Sequence, residues 1–193
     1  EVGRMEKTIS NQIYKMNIGL LTKLPSKIEK LIKEFTPGAK IISKKLAQAN
    51  ACYFIGRNIA YPIALEGSLK LKEISYMHSE GFPGGEMKHG PIALIDKDTI
   101  TVCLIPKNDL FEKSVSNAQE ISARNGKIII LSSVRNMSKI NGEIKVINMP
   151  KENIIDTPFI YTIPLQLISY YFALYEGTDI DQPRNLAKSV TVE

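Results

Sequence analysis

Two unbroken apolar runs constrain the fold of this chain more than any other feature of its sequence. They are TITVCLIP at 99–106 and GKIIILSS at 126–133. Apolar runs of this length, without alternating polar residues, are typical of strands that are buried on both faces of a sheet. ACYFIG at 51–56 is a further predicted strand, and IKVINMP at 144–150 is a shorter and more mixed one. The sheet therefore needs helices on both of its faces.

Predicted helices separate these strands along the chain. Apolar residues recur at helical spacing at about 61–77, 109–124 and 158–176. Strands that alternate with helices imply a parallel sheet with right-handed crossovers. We therefore expect an α/β fold, a three-layer α/β/α sandwich with a parallel sheet of four or five strands. Such sheets bind ligands beyond the carboxyl ends of their strands, which favours a small-molecule site.

The residues before the first strand are expected to form two or three N-terminal helices. Residues 5–20 carry apolar side chains at helical spacing. PSKIEKLIKEF then opens a second helix, because Ser26 can act as its N-cap and Glu29 completes a capping box. Pro37 is expected to end this helix, and a third helix covers about 39–49.

Composition and charge disfavour several classes of function. The net charge of +5 comes from scattered lysines rather than a basic block, so we expect no nucleic-acid partner. No apolar run approaches the roughly 20 residues of a membrane span, and no signal pattern is present. Cys52 and Cys103 lie in strand-like runs without metal-ligand spacing, so we expect reduced, buried thiols in a cytoplasmic protein without a metal site. Because the chain begins at Glu1 rather than at a methionine, we expect a longer parent protein.

The first helix after the ACYFIG strand carries three charged residues in the middle of its apolar surface. At about 100° per residue, Glu66, Lys70 and Glu73 fall on one narrow strip. Ser68 and Lys72 point to the opposite face. An ordinary amphipathic helix keeps its charges away from its apolar arc. The strip is either a salt-bridged structural row or a carboxylate and an ammonium that line a catalytic cleft.

A glycine-rich segment, SEGFPGGEMKHGP, follows that helix and places His89 between glycines and Pro91. A loop histidine that glycines can orient is suited to acid–base chemistry, because its unperturbed pKa lies near 6.5. A surface histidine is the alternative for His89, and it is our interpretation of His78. The sequence contains no GxSxG motif and no GxGxxG after Gly56, so we expect neither a hydrolytic triad nor a dinucleotide site.

The C-terminal stretch DQPRNLAKSVTVE has an unusual pattern for a chain end. Frayed termini usually consist of polar residues. Here apolar residues from Leu186 to Val192 interleave with Arg184 and Lys188. This pattern predicts a tail that packs against the domain and holds a lysine close to it.

Four stretches together resemble the C-terminal part of the glucosamine-6-phosphate synthases. They are YPIALEGSLKLKEIS, GGEMKHGP, IPLQLISYYFALYEG and DIDQPRNLAKSVTVE, and the resemblance covers nearly the whole chain. In that family, a glutaminase domain releases ammonia, and two sugar isomerase (SIS) domains aminate and isomerise fructose 6-phosphate to glucosamine 6-phosphate. The resemblance identifies this chain as the second SIS domain with its preceding helices.

The resemblance also implies a role for individual residues. Lys188 would form a Schiff base with the carbonyl carbon of the sugar, and Glu73 would move a proton between the first two sugar carbons. Lys70 would assist at the neighbouring hydroxyl, and the backbone around Ala187 would help to bind the sugar. His89 would act in ring opening at the site of the partner subunit, which implies a homodimer. No cofactor and no metal is implied.

The implied organisation has three parts, a helical segment or linker at 1–42, the second SIS domain at 43–183 and an active-site tail at 184–193. The glutaminase and first SIS domains would belong to the same parent chain. The family's sugar-phosphate pocket is a Ser- and Thr-rich loop of the first SIS domain, and IPKNDLFEKS lacks such a cluster. We therefore expect the chain alone to be inactive. The alternative is a non-catalytic SIS module that binds a sugar phosphate or dimerises.

Overall fold

A single five-stranded sheet forms the centre of the protein, whose computed structural model describes residues 1–186. The strands are β1 Ala51–Gly56, β2 Ser79–Pro83, β3 Thr99–Leu104, β4 Lys127–Ser132 and β5 Ile144–Asn148. Their order is β2-β1-β3-β4-β5, and each neighbouring pair is parallel. The prediction of a parallel sheet of four or five strands is confirmed.

Helices cover both faces of this sheet. They are α1 Val2–Met5, α2 Asn11–Leu46, α3 Ala60–Ser75, α4 Phe111–Ser122 and α5 Thr157–Glu176. On one face, α2, α3 and α5 share an apolar core with Phe54, Val102 and Leu131. On the other face, α4 packs with two short 3-10 helices, Gly84–His89 and Pro91–Leu94. The predicted three-layer α/β/α sandwich is confirmed.

The side chains of β1 divide between the two cores in alternation. Cys52 and Phe54 face the layer of α2, α3 and α5, whereas Tyr53 and Ile55 face the layer of α4. Every residue of β1 and β3 is buried, which explains why these runs lack a polar period. Cys103 on β3 is buried as well, and both cysteines are free thiols, as expected.

The N-terminal region forms one long helix, so the predicted break at Pro37 is wrong. Ser26 is not an N-cap, because its hydroxyl donates to the carbonyl oxygen of Lys23 one turn earlier. Two prolines, Pro25 and Pro37, lie inside α2. The helix continues through them because its apolar stripe packs against α5, and this burial outweighs the backbone hydrogen bonds that the prolines remove. No helix of residues 1–186, α2 included, is both long and apolar enough to cross a membrane.

The edge strand β2 was not predicted, since its sequence was interpreted as part of a loop. It has five residues, and it includes Gly81 and Pro83, both of which are uncommon inside strands. An edge strand hydrogen-bonds on one side only, and β2 pairs with β1. A Cβ atom at position 81 would lie 3.0 Å from the Cα atom of Leu65, so the glycine lets β2 approach α3 closely. Close packing on α3, rather than strand propensity, selects this conformation.

The chain order reverses at β1, which lies between β2 and β3. The connection from β1 to β2 runs through α3 on one face, and the connection from β2 to β3 runs through the 3-10 helices on the other. In sheets of this kind, the reversal leaves a crevice beyond the carboxyl ends of the two neighbouring strands from which the chain continues in opposite directions, here β1 and β3.

Candidate active site

Lys70 and Glu73 form an ion pair near the C-terminal end of α3. The Nζ atom of Lys70 lies 2.5 Å from the Oε2 atom of Glu73. The two side chains are 34% and 28% exposed, so the pair is neither buried in the core nor fully solvated. A substrate could therefore reach both groups without opening the core.

The surrounding charges keep Lys70 protonated. The hydrogen bond to Glu73 raises the pKa of Lys70, and the negative charges of Glu73 and Glu66 act in the same direction, whereas partial burial opposes them. A protonated ammonium donates hydrogen bonds to a substrate oxygen but cannot attack a carbonyl carbon. Lys70 is therefore suited to polarise a hydroxyl or carbonyl group, and the carboxylate of Glu73 is the group that can accept a proton.

Gly67 sets the orientation of α3 on the core. A Cβ atom at this position would lie 2.5 Å from Cδ1 of Leu165 on α5 and 3.1 Å from the ring of Phe54. Ser68, on the face of α3 opposite to the charged strip, is buried. Its carbonyl oxygen accepts a hydrogen bond from the hydroxyl of Ser79 at 2.7 Å. The unpredicted strand β2 covers this side of α3, so the charged strip lies at the margin of the helix.

His89 lies on the opposite face of the sheet from the Lys70–Glu73 pair. It is the last residue of the 3-10 helix Gly84–His89, which packs with α4. Its side chain is 71% exposed, and its Nδ1 atom lies 2.7 Å from Oε2 of Glu86. The structure therefore does not bring His89 together with Lys70 and Glu73 within one subunit.

The segment that carries His89 is anchored to the domain. Nε of Arg57, in the turn after β1, donates to Oδ1 of Asn117 on α4 at 2.8 Å. A Cβ atom at Gly84 would lie 2.8 Å from the same Asn117 oxygen, so this glycine permits close packing. Only beyond His89 does a glycine supply a turn, since Gly90 has a φ of 141°. His89 is thus exposed to solvent at the end of a short helix that packs against α4.

The chain after α5 returns to the C-terminal end of α3. The backbone N–H of Arg184 donates to the hydroxyl oxygen of Tyr76 at 2.8 Å, and its guanidinium lies over the Tyr76 ring. Leu186 is exposed, although the sequence predicted that it packs. Ala187 and Lys188 lie outside the described residues. The sequence analysis did not identify Tyr76 as a contact of the C-terminal segment. The available signal was that no glycine stands where α3 ends, although glycine is usual at that position.

A crevice of about 470 Å³ opens at the carboxyl ends of β1 and β3. Oε1 of Glu152, on its wall, accepts hydrogen bonds from the backbone N–H of Lys107 at 2.8 Å and from the hydroxyl of Ser133 at 3.0 Å. In doubly wound folds, such N–H groups commonly hold the phosphate of a ligand. Here the carboxylate of Glu152 accepts the N–H of Lys107, so this donor is already occupied within the protein. Across residues 1–186, no group of three or more His, Cys, Asp or Glu side chains is placed to bind a metal.

Comparisons with known proteins agree with this fold. The family model of the SIS domain matches residues 45–175. A glutamine–fructose-6-phosphate aminotransferase (isomerising) of Haemophilus influenzae is 45% identical over 192 residues, which is all of this chain but 31% of that protein. One of Sphingobium yanoikuyae is 51% identical over 149 residues, which is 77% of this chain and 96% of that protein. The chain thus spans about a third of the Haemophilus relative and nearly all of the Sphingobium one.

Solved structures give the same result. The C-terminal domain of glucosamine-fructose-6-phosphate aminotransferase from Francisella tularensis superposes with a TM-score of 0.88 at 36% identity. The match covers 94% of this chain and 51% of that one. A glucosamine-6-phosphate deaminase from Thermotoga maritima, at 21% identity and a TM-score of 0.63, shares the fold.

Proposed function

Because this chain belongs to the SIS domain family and, within it, to the glutamine–fructose-6-phosphate aminotransferases, we propose that it is the second SIS domain of such an enzyme. The parent enzyme would convert fructose 6-phosphate and glutamine to glucosamine 6-phosphate and glutamate in the cytoplasm. The SIS domain proper would span 43–183, around the family match at 45–175. The glutaminase and first SIS domains would lie in the part of the parent that this chain does not span.

The partly exposed Lys70–Glu73 pair carries this proposal. In the proposed reaction, the neutral amine of Lys188 condenses with the C2 carbonyl of the sugar and releases water. Ammonia then replaces the lysine at C2, which frees Lys188. The carboxylate of Glu73 takes a proton from C1 and returns it to C2, while the proton of the C1 hydroxyl passes to the imine nitrogen, so the ketose imine becomes an aldose amine without net loss of protons. The ammonium of Lys70 donates a hydrogen bond to the neighbouring sugar oxygen.

The raised pKa of Lys70 supports the proposal that Lys70 donates a hydrogen bond while Lys188 is the nucleophile. An amine that stays protonated cannot be the nucleophile, whereas it stabilises negative charge on a sugar oxygen well. In this proposal the nucleophile is therefore another lysine. Lys188 is the candidate, with the backbone of Ala187 beside the sugar.

The phosphate of the substrate would be bound by the first SIS domain. In support, Glu152 already accepts the N–H of Lys107 at the edge where a phosphate would bind, and its negative charge disfavours a second anion there. Binding energy from a remote phosphate positions the reacting carbons, so its loss lowers the rate as well as the affinity. We therefore expect this chain alone neither to release ammonia from glutamine nor to isomerise fructose 6-phosphate at an enzymatic rate.

His89 is proposed to act in ring opening at the active site of a second subunit, which makes the parent a homodimer. The support is the position of His89 on the sheet face opposite to Lys70 and Glu73, from an anchored segment that exposes its imidazole. A histidine held in this way serves a neighbouring chain more readily than its own.

The Schiff base gives the direct test. In the parent enzyme, Lys188→Arg keeps the positive charge but cannot condense with a carbonyl, so isomerisation should be lost while glutamine hydrolysis remains. Borohydride with fructose 6-phosphate should attach the sugar to the peptide that contains Lys188. Lys72→Arg, at an exposed position of α3, is the matched control and should keep full activity. Label on Lys70 or Lys72, or an active Lys188→Arg enzyme, would overturn the assignment.

A further inference from the structure

Tyr76 adopts a backbone conformation that its residue type disfavours. It ends α3 with a φ of 61° and a ψ of 9°, in the left-handed region. Helices usually place glycine or asparagine there, because a Cβ atom in this region costs about 1–2 kcal/mol. Strain of this kind persists where the side chain has a use that glycine cannot supply. Tyr76 directly follows α3, the helix that carries the proposed catalytic carboxylate of Glu73.

The side chain of Tyr76 holds the segment that leads to the chain end. Its hydroxyl oxygen accepts the backbone N–H of Arg184 at 2.8 Å. Its ring lies under the guanidinium of Arg184, with 4.1 Å between Cζ and the ring centroid. The hydroxyl of Tyr76 thus binds the backbone of Arg184, and the ring of Tyr76 contacts the Arg184 side chain. Glycine would relieve the strain at position 76 but would remove both contacts.

A second contact brings the same segment to the same end of α3. After α5, the chain turns at Gly177, and the hydroxyl of Thr178 donates to the carbonyl oxygen of Ile74 at 2.6 Å. The side chain of Asp179 then accepts the backbone N–H groups of Asp181 and Gln182, which turns the chain towards Arg184. The path from α5 is therefore fixed at two points on the last turn of α3.

We propose that Tyr76 is a positioning residue, which clamps Arg184 so that Lys188 is delivered to the Lys70–Glu73 pair. Lys188 lies four positions after Arg184, and four extended residues span at most about 14 Å. By chain length alone, a clamp at Arg184 would keep the lysine within about that distance of the clamp. This inference rests on the proposed function, because it assigns the clamp a purpose in Schiff-base formation.

The test compares Tyr76→Phe and Tyr76→Gly with Asn125→Gly in the parent enzyme. Asn125 is also left-handed, with a φ of 62°, but it follows α4 and not α3. Both glycine variants relieve backbone strain, so a merely structural role predicts that they behave alike. Of the two glycine variants, we expect only Tyr76→Gly to speed hydrogen exchange at the Arg184 amide and trypsin cleavage after Arg184. Tyr76→Phe should show the exchange effect with less cleavage, since the ring remains.

Kinetics then decide whether the clamp serves the reaction. We expect Tyr76→Gly to lower kcat about 10- to 100-fold with little change in KM, and to lower the yield of borohydride-trapped sugar on Lys188. Exchange and cleavage at Arg184 that match Asn125→Gly would overturn the clamp without touching the proposed function. A released clamp with unchanged kcat would overturn its positioning role. Absence of trapped sugar in the unsubstituted enzyme would overturn the proposed function itself, while the exchange data would still decide the clamp.

Discussion

Lys70 and Glu73 are joined by a 2.5 Å hydrogen bond, although about a third of each side chain remains exposed. Ion pairs with this degree of exposure contribute little to stability, since water screens the attraction and both side chains lose freedom. The pair therefore has little value as a structural element. We propose that its value lies in the chemistry, because the segment that leads to Lys188 contacts the same end of α3 at Ile74 and Tyr76.

Glu73→Gln should separate catalysis from stability. The substitution removes the proton acceptor, so we expect isomerisation by the parent enzyme to fall about 100- to 10,000-fold. The free energy of unfolding should change by less than about 1 kcal/mol, because water reaches about a third of each side chain and screens the ion pair. Glu34→Gln breaks another lysine–glutamate pair, Lys30–Glu34, on α2 and is the control that should leave both quantities unchanged. Equal loss of activity in the two variants would remove Glu73 from the proposed mechanism.

Gly67→Ala should destabilise the protein, because α3 and α5 approach each other at this glycine. The added methyl group would lie 2.5 Å from Cδ1 of Leu165, which is itself buried. Forcing a methyl group into a packed core typically costs about 1–3 kcal/mol. Gly38→Ala in α2 has no atom within 4 Å of the added methyl, so helix propensity should instead stabilise it by about 0.5–1 kcal/mol. Opposite shifts of the urea midpoint are expected, and shifts of the same sign would contradict the packing argument.

Mixed dimers test the placement of His89. Parent enzymes with His89→Ala or Lys188→Arg should each be inactive in isomerisation. If His89 acts across the subunit interface, mixed dimers carry one site in which both residues are intact, and we expect up to about half of the activity per such dimer. His78→Ala, which removes the other exposed histidine, is the control. Verified subunit exchange without recovered activity would show that His89 does not serve the partner's site.

The two cysteines predict a pH dependence of stability. Burial raises the pKa of the Cys52 and Cys103 thiols well above the usual range. In the unfolded chain, thiols lose their protons above about pH 8.5, whereas the folded protein keeps them protonated. The two thiols therefore do not lower the free energy of unfolding below that pH. Above it, they lower the free energy of unfolding by at most about 2.7 kcal/mol per pH unit together.

Urea unfolding between pH 8 and 10.5 measures this decline. The Cys52→Ala, Cys103→Ala double variant should show a shallower decline than the unsubstituted chain, whatever its absolute stability. In the folded protein at neutral pH, iodoacetamide should label neither cysteine faster than the chain unfolds. Rapid labelling of the native protein would contradict the burial of these thiols.

The sequence by itself determined four of the five strands of the sheet and the helices α3, α4 and α5. The buried strands β1, β3 and β4 need apolar side chains on both faces. Because each strand has six residues, a stretch of six residues is enough to recognise this pattern in the sequence. The charged strip of α3 could be predicted for a similar reason, because residues three and four apart on a helix are always neighbours. The contact between Lys70 and Glu73 is such a local relation.

Only the tertiary structure decided the remaining features. β2 forms because Gly81 fits against α3, and α2 runs through Pro37 because its stripe packs on α5. The face of the sheet on which His89 lies depends on the crossover after β2. The contact of Tyr76 with Arg184 joins residues that are 108 positions apart. Local sequence patterns report which side chains need burial, but contacts between distant elements arise only when several such surfaces are packed at once.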